Sequence, residues 1–497
     1  MTTPDLDLLI RDVDVVRAGV DTPTRADIGV RAGRFAEIAS GIDPARAAAL
    51  LDGGGRLAFP GVVDAHQHWG IYNPLAEDAA SESRAGALGG VTTALNYIRT
   101  GQYYLNRGGP YADFFPEVLE RTNGRSVIDF GFHLAPMTAE HIDEIPMLID
   151  RHGVTSFKIF MFYGSHGLHG RSTDQSGFLM IPPDQSYDYA HFEFVMRAVQ
   201  AAREQRPDRA DSISLSLHCE TPEIMRAYTK LVEQDPQLTG LAAYHASRPP
   251  HSEGLAVTIA AFLADETSLA TVNLLHLSSG KAVTAALRMA RTFPHIDFRR
   301  EVTIGHLLTD VESARDNGGK VNPPVRPRAD VEALWEHVVA GEVDWVVSDH
   351  ACCRSEYKFG ADPGDVFAAR SGFGGAEYLL TGLLTEGGKR GLSPGRIADL
   401  TAGAPARRFG LLTKGDIAVG LDADLCLVDP NDTWTVRAAD SPSTQEYSPF
   451  EGVEMTARVT DTFVRGVPVV SAGAVTTGPA TGRYISRSGG EGTGSEG

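Results

Sequence analysis

The run Phe59-Pro60-Gly61-Val62-Val63-Asp64-Ala65-His66-Gln67-His68 decides how the whole chain is read. It begins as an apolar strand and ends on two imidazoles. Residues i and i+2 of a strand project to the same face, so His66 and His68 can reach one ion. Imidazole is a common ligand for zinc and its neighbours. An isolated His-x-His pair serves core hydrogen bonding about as often, and it is the position at a strand end that gives this pair weight.

Downstream, short apolar runs recur at broad intervals: VTTALNY, TSFKIFMFY, SISLSLHCE, TVNLLHLSS and VDWVVSDH. Ala-rich helical stretches such as FEFVMRAVQAAREQ (192–205) and GLAVTIAAFLADE (254–266) separate them. Strands alternating with helices predict a parallel α/β arrangement. The ends of these runs are polar. Lys158 lies within TSFKIFMFY, where a charge is costly to bury unless it is paired or modified, and His218, His276 and Asp349 close three others. Singly, each has an ordinary reading: a satisfied core histidine, a snorkelling lysine, an aspartate capping a helix. Six polar groups at the C-terminal ends of five apolar strands are instead what a (β/α)8 barrel places on its active face.

Both chain ends read differently. Residues 7–60 and about 415–482 alternate apolar and polar positions in short runs broken by Gly, Asp and Pro, the pattern of a small β unit. The expected organisation is a discontinuous β-sandwich domain from 1–60 plus 412–485, a barrel over 61–411, and a Gly/Ser/Glu-rich disordered tail over 486–497. Residues 164–190 form a long connection with little periodicity, a length usual only for loops with a role such as a lid. Its His166 and His169 are expected to face solvent.

With 45 Lys plus Arg against 64 Asp plus Glu, the net charge is −19, which argues against nucleic acid as a partner. No window approaches the roughly 20 apolar residues of a membrane span, and the acidic N-terminus lacks a secretory pattern, so a cytoplasmic protein is expected. Cys219, Cys352, Cys353 and Cys426 are too few and too unevenly spaced for a disulfide framework. Adjacent Cys352 and Cys353 are read as buried or pocket thiols rather than metal ligands.

In the order PGVVDAHQH, GALGGVTTAL, GVTSFKIFMFY, LHCE, HASRPPHSEG, LLHLSSG, KVNPPVR, SDH, GDIAVGLDADLCLVDP and RGVPVV, the chain resembles the cyclic amidohydrolases of the amidohydrolase superfamily. It is most similar to the dihydropyrimidinase and hydantoinase branch, related to allantoinase and dihydroorotase. The resemblance implies two divalent metal ions, usually Zn2+, in a (β/α)8 barrel. It implies that His66 and His68 serve the more buried metal and His218 and His276 the more exposed one. Lys158 matches a lysine that takes up carbon dioxide to become an N-carboxylysine bridging both. Asp349 matches the last ligand and the general acid/base, and Tyr163 a tyrosine that donates to the oxyanion, with aromatic packing as its other reading. Two metals lower the pKa of a bridging water; hydroxide attacks the polarised carbonyl, and Asp349 carries the proton to the leaving nitrogen.

Substrate choice is read from departures. Dihydroorotases carry an Arg shortly after the His-x-His pair, whereas here the sequence continues Trp69-Gly70-Ile71-Tyr72-Asn73. A carboxylate-bearing substrate is therefore not expected, and Trp69 and Tyr72 point to an apolar or aromatic substituent. Trp69 is equally read as a filler between barrel and loop. Asn322 of KVNPPVR matches a hydantoinase substrate-binding position; Ser371 stands where that branch has Asn, and Leu379 near where it has Arg. The expected activity is hydrolysis of a cyclic amide or imide. Alternatives are an allantoinase-like ureide hydrolase or a linear amide or carbamate hydrolase, and, outside enzymes, a non-catalytic scaffold. The resemblance also implies a homo-oligomer, a tetramer or dimer.

Overall fold

The computed structural model describes residues 4–163, 175–314, 316–360, 362–478 and 480–487. His166 and His169 therefore lie outside the described residues, as do 488–497.

The N-terminal β unit consists of β1 (Leu6–Arg17), β2 (Val20–Arg31), β3 (Arg34–Ala39), β4 (Ala47–Asp52) and β5 (Leu57–Pro60). The chain then enters β6 (Val62–Gln67) after Gly61 alone. A side chain at Gly61 would place its Cβ 2.2 Å from Thr92 Oγ1, so glycine is what lets the small sheet run directly into the barrel. The barrel continues with β7 (Val91–Ile98), β8 (Asp129–Leu134), β9 (Ser156–Phe160), β10 (Ser214–His218), β11 (Thr271–Leu274), β12 (Asp297–Thr303) and β13 (Trp345–Val347). These eight strands pair in parallel and in chain order, and a parallel bridge between Gln67 and His350 brings the last run back to the first. Most are buried on both faces, β6, β7 and β8 without exception, which explains why they read as apolar runs rather than alternating ones.

Helices cover the outside with one apolar stripe each. Tyr189–Glu204 buries Phe192, Val195, Met196 and Val199 at helical spacing, and Asp188 caps it by accepting from the Ala190 and His191 amides. Ser279 caps Gly280–Thr292 in the same way.

The C-terminal strands β14 (Leu425–Asp429), β17 (Arg458–Val464), β18 (Val467–Ser471) and β19 (Ala474–Val475) join the N-terminal ones in a single nine-stranded sheet, β14 pairing antiparallel with β5. Short strands β15 (Trp434–Thr435) and β16 (Glu454–Met455) pair with each other. Ile10, Val13, Ile28 and Phe35 from the first segment share a core with Leu425, Leu427 and Phe463 from the last. The fold is thus a (β/α)8 barrel beside a β domain built from both ends, as the two strand-rich termini predict. At its seam, Lys414 Nζ donates to Asp129 Oδ2 at 2.8 Å and also contacts Asp424, while Arg465 reaches the same Asp129.

The closing segment departs from expectation. Residues 482–487 do not continue the small sheet and do not start a disordered tail at 486. They run beside β8, with the Phe130 amide donating to Arg483 O at 2.9 Å and the Ile485 amide to Phe130 O at 2.8 Å. Arg487 is buried and donates to Ser156 Oγ at 2.7 Å and to Phe132 O. Low-complexity composition beyond residue 487 masks an apolar-aromatic anchor, Tyr484 and Ile485, that packs on the barrel.

Candidate metal centre

The barrel strands deliver their polar ends to one cavity of about 50 Å³, whose lining includes His68, Lys158, His218, His276 and Asp349. His66, fully buried in β6, meets the same group from behind. Its Nε2 lies 3.1 Å from Lys158 Nζ and 3.2 Å from Asp349 Oδ1, and His68 Nε2 lies 3.3 Å from the same oxygen. His66, His68 and Asp349 offer donor atoms all within 4.8 Å of one another. The His218 and His276 rings stand edge to face, 4.3 Å between centroids, and His276 is 5.4 Å from His66. The six sequence-predicted ligand positions thus come together.

Backbone conformation helps aim them. His276 and Asp349 each lie two residues beyond the end of a strand and adopt positive φ, +33° and +52°. Such values are uncommon for non-glycine residues and concentrate at functional sites.

Neighbouring groups fix the ring orientations. Glu301, from β12, accepts the His276 amide at 3.1 Å and the Trp345 indole N–H at 2.9 Å, and its Oε1 sits 2.7 Å from His66 Nδ1. His66 Nε2 is thereby left facing Lys158 and Asp349. Glu220, held by Arg248 Nη1 at 2.6 Å, takes His218 Nε2 at 2.7 Å, which leaves Nδ1 as the nitrogen available to another partner. The Tyr104 hydroxyl pairs with His68 Nδ1 at 2.8 Å. Three of the four imidazoles, those of His66, His68 and His218, thus have a carboxylate or hydroxyl behind them, the usual arrangement around a bound metal.

Electrostatics suit cation binding. Burial lowers the pKa of His66, His68, His218 and His276, keeping the imidazoles neutral, the form that ligates. Burial opposes ionisation of Asp349, but His66, His68 and Lys158 overcome it and hold the carboxyl below its usual range. Burial brings Lys158 down to about 7, against the pull of Asp349 and Glu301; its amine also lies 4.1 and 4.4 Å from the Tyr97 and Phe160 ring faces. His276 Nδ1 is buried without a hydrogen-bond partner. A crowd of neutral imidazoles with an orphaned ring nitrogen, beside a carboxylate and a lysine stripped of solvent, is a donor set suited to divalent metal.

The remaining predicted residues divide. Tyr163 lines the cavity, stacked on Phe160 at 4.6 Å. Tyr72, Asn322 and Ser371 also line it. Tyr72 donates to Ser371 O at 2.5 Å, and Tyr244 joins Asn322 Oδ1 to Ser371 Oγ. Trp69 does not reach the cavity: it is buried in the main core with its ring 6.1 Å from Phe130, so its substrate-contact reading is replaced by the packing one. Glu301, Glu220, Arg248 and Tyr104 were not anticipated. Glu301 lies in a strand whose start is itself charged, and Tyr104 in a loop without pattern, so neither carries a local signal.

Asp78, Glu82 and Cys352 form a second buried group within 4.8 Å. Here the polar atoms are satisfied by protein: Asp78 accepts from the Gly70 amide and Asn73, and Glu82 from Ser443 Oγ, the Thr444 amide and the His350 ring. The group ties the turn after His68 to residues 443–444 and braces Asp349 through its neighbour His350. All four cysteines are buried free thiols.

Comparison with known proteins agrees with this geometry. The sequence model described as "Amidohydrolase family" matches residues 57–469. An allantoinase of Rubrobacter xylanophilus is 32% identical over 96% of this chain and 97% of its own. A D-hydantoinase of Geobacillus stearothermophilus is 28% identical over 93% of each chain. Among solved structures, the L-hydantoinase (dihydropyrimidinase) of Arthrobacter aurescens superposes with a TM-score of 0.82 at 26% identity, covering 96% of this chain and 99% of its own.

Proposed function

Because the chain belongs to the amidohydrolase family, we propose that it is a metal-dependent hydrolase that opens the ring of a cyclic amide or imide at a C–N bond. The observation that carries this reading is the convergence of His66, His68, Lys158, His218, His276 and Asp349 on one small cavity. Relatives over nearly the full length are named allantoinase and D-hydantoinase, and both names denote cyclic ureide or diamide hydrolysis.

Two divalent ions, Zn2+ in the first instance, would be held by His66, His68 and Asp349 on one side and His218 and His276 on the other, with Lys158 as its carbon dioxide adduct between them. When bound, such ions acidify water towards neutral pH and polarise an amide carbonyl. The chain supplies the rest. Asp349 takes the proton of the attacking water and returns it to the leaving nitrogen, which could not depart as an anion. Tyr163, which lines the cavity, would offer its hydroxyl to the oxygen that gains charge. Asn322, Ser371 and Tyr72 form the opposite wall and orient the ring. Glu301, Glu220 and Tyr104 position the imidazoles.

A ureide ring is the second reading, favoured by the allantoinase relative and by Ser371 standing where hydantoinases have Asn. Among the described residues no helix is long and apolar enough to cross a membrane. A homo-oligomer, tetramer or dimer, working in the cytoplasm completes the proposal. Its support is a set of exposed apolar side chains, Phe194, Leu231, Leu255 and Phe262, on neighbouring outer helices.

The test is a screen of hydantoins, dihydropyrimidines, cyclic imides, allantoin and linear carbamates against protein supplied with zinc and bicarbonate. Ring-opened product, abolished by chelator and restored by metal, is expected. A purified protein that binds no metal and opens none of these rings would overturn the proposal.

A further inference from the structure

Outside the metal cavity lies an open groove of about 550 Å³, sharing Ile71, Tyr72 and Tyr104 with it. A substituent on a ring held against Asn322 and Ser371 would have this groove as its adjoining space. Two basic groups line it: Arg121, paired with Glu117 at 2.6 Å, and Arg370, which packs beside Tyr72 of the shared wall. The Arg370 guanidinium carbon stands 5.3 Å from the Tyr72 ring centroid, 5.5 Å from Tyr103 and 5.4 Å from Tyr357. Tyrosine faces fix the plane of a guanidinium without using its N–H groups, which point outward from the edge. Among the described residues Arg370 forms no ion pair, unlike most arginines of this chain.

The segment carrying Arg370 is held firmly. Its amide donates to Lys358 O at 2.9 Å. Lys358, fully buried, donates through Nζ to Gly372 O at 2.7 Å and Lys320 O at 2.9 Å. Lys320, also fully buried, donates to Phe367 O and Ala369 O. Two interior lysines spent on backbone carbonyls over 367–372 clamp the stretch that sets both Ser371 in the cavity and Arg370 at its mouth. Ser371 O in turn accepts from Tyr72, so wall and mouth form one rigid unit.

We propose that Arg370 is a specificity residue that receives an anionic group, a carboxylate, on the exocyclic substituent of the cyclic substrate. The proposal rests on the ring-hydrolase reading above and narrows its substrate class. A planar, unpaired guanidinium with free edge donors matches a carboxylate two-by-two.

The test uses zinc-loaded full-length protein and three probes: hydantoin, hydantoin-5-acetic acid and its neutral isostere hydantoin-5-acetamide. Wild type should open the acid with kcat/KM roughly 10-fold or more above the amide, a typical effect of a charge-assisted pair. In Arg370→Gln the acid should fall to the level of the amide, mainly through KM, while the amide stays within about twofold of wild type; Arg370→Lys should keep part of the preference. Thermal midpoint and zinc content confirm that the variants are folded. Equal rates for acid and amide in wild type, or a loss in Arg370→Gln common to both, overturns the proposal. If hydantoin is opened but neither substituted probe is, this inference alone falls. If chelator-sensitive opening of every ring is absent, the reading beneath it falls as well.

Discussion

Lys158 gives the sharpest test of how the site assembles. Carbon dioxide reacts with a neutral amine, not an ammonium, and burial brings Lys158 to about 7. At pH 7 about half of it is neutral, against roughly one in 2,500 for a lysine titrating near 10.4. The direction matters: below about pH 7 the neutral fraction falls tenfold per unit, and above it the fraction saturates. Metal-free, decarboxylated protein should therefore regain activity after incubation with zinc at a fixed concentration of dissolved carbon dioxide, with a rate that rises about tenfold from pH 5 to 6 and levels off above about 7.5. The assay is recovery of ring-opening activity after dilution to a common pH, which separates assembly from turnover. In parallel, Lys158→Ala should lose activity and metal occupancy together and regain part of both with a short carboxylic acid. A recovery rate still climbing tenfold per unit between pH 8 and 9 would show an ordinary lysine and refute the argument. Full activity of Lys158→Ala without added acid would refute the carboxylysine itself.

Three other expectations follow from contacts away from that step. In Lys414→Met, Asp129 and Asp424 lose the ammonium between them, and breaking such a buried network costs about 3–5 kcal/mol. At roughly 2.1 cal/mol/K per residue, the melting midpoint of 497 residues should drop about 3–5 °C by calorimetry at pH 7. Burial raises Asp129, but Lys414 and Arg465 bring it below its usual range. Its stabilising share in wild type is thus present above about pH 4 and lost as pH falls through the lower folded value. In the variant Asp424 loses its cation and Asp129 keeps only Arg465, so acidification from pH 8 to 5 should raise the midpoint, over a range where Asp129 gives wild type no slope; an equally flat variant would count against the network. Tyr163→Phe should lower kcat on the order of 100-fold with little change in KM, as for loss of one oxyanion donor, and unchanged turnover would remove Tyr163 from the chemistry. Arg487→Ala leaves the Phe132 carbonyl and Ser156 hydroxyl without a buried donor and should destabilise by about 1–3 kcal/mol in urea titration, whereas a neutral result would mean that residues 482–487 do not anchor the barrel.

Much of the fold was legible because a parallel barrel strand is buried on both faces and so prints itself as an apolar run. A polar group ending such a run is anomalous on its own line, and His66, His68, Lys158, His218, His276 and Asp349 were each visible for that reason. The groups behind them were not. Glu301 sits in a strand whose start, DFRR, is charged, so its acid does not stand out. Tyr104 and Arg248 lie where no periodicity assigns direction, and only the closed barrel brings them to an imidazole or its carboxylate. Arg487 failed for a compositional reason: ten Gly-, Ser- and Glu-rich residues follow it, and a window average over the tail hides two aromatic-apolar positions and one buried cation.

Trp69 and Arg370 show where local reading of specificity breaks down. After His68 the chain offers no arginine, and a motif confined to that turn argues against an anionic substrate and for contact through Trp69 and Tyr72. In the folded chain Trp69 turns into the core, and Tyr72 is met by Arg370 arriving from the segment after the eighth strand. The cation is absent from the turn yet present in the space that the turn borders. Because a barrel assembles its mouth from loops after every strand, a missing residue in one loop says nothing about charge until the other loops are placed. The identity of the substrate therefore depends on a pair, Tyr72 and Arg370, whose members are remote in sequence and adjacent only because two buried lysines hold 367–372 against the cavity wall.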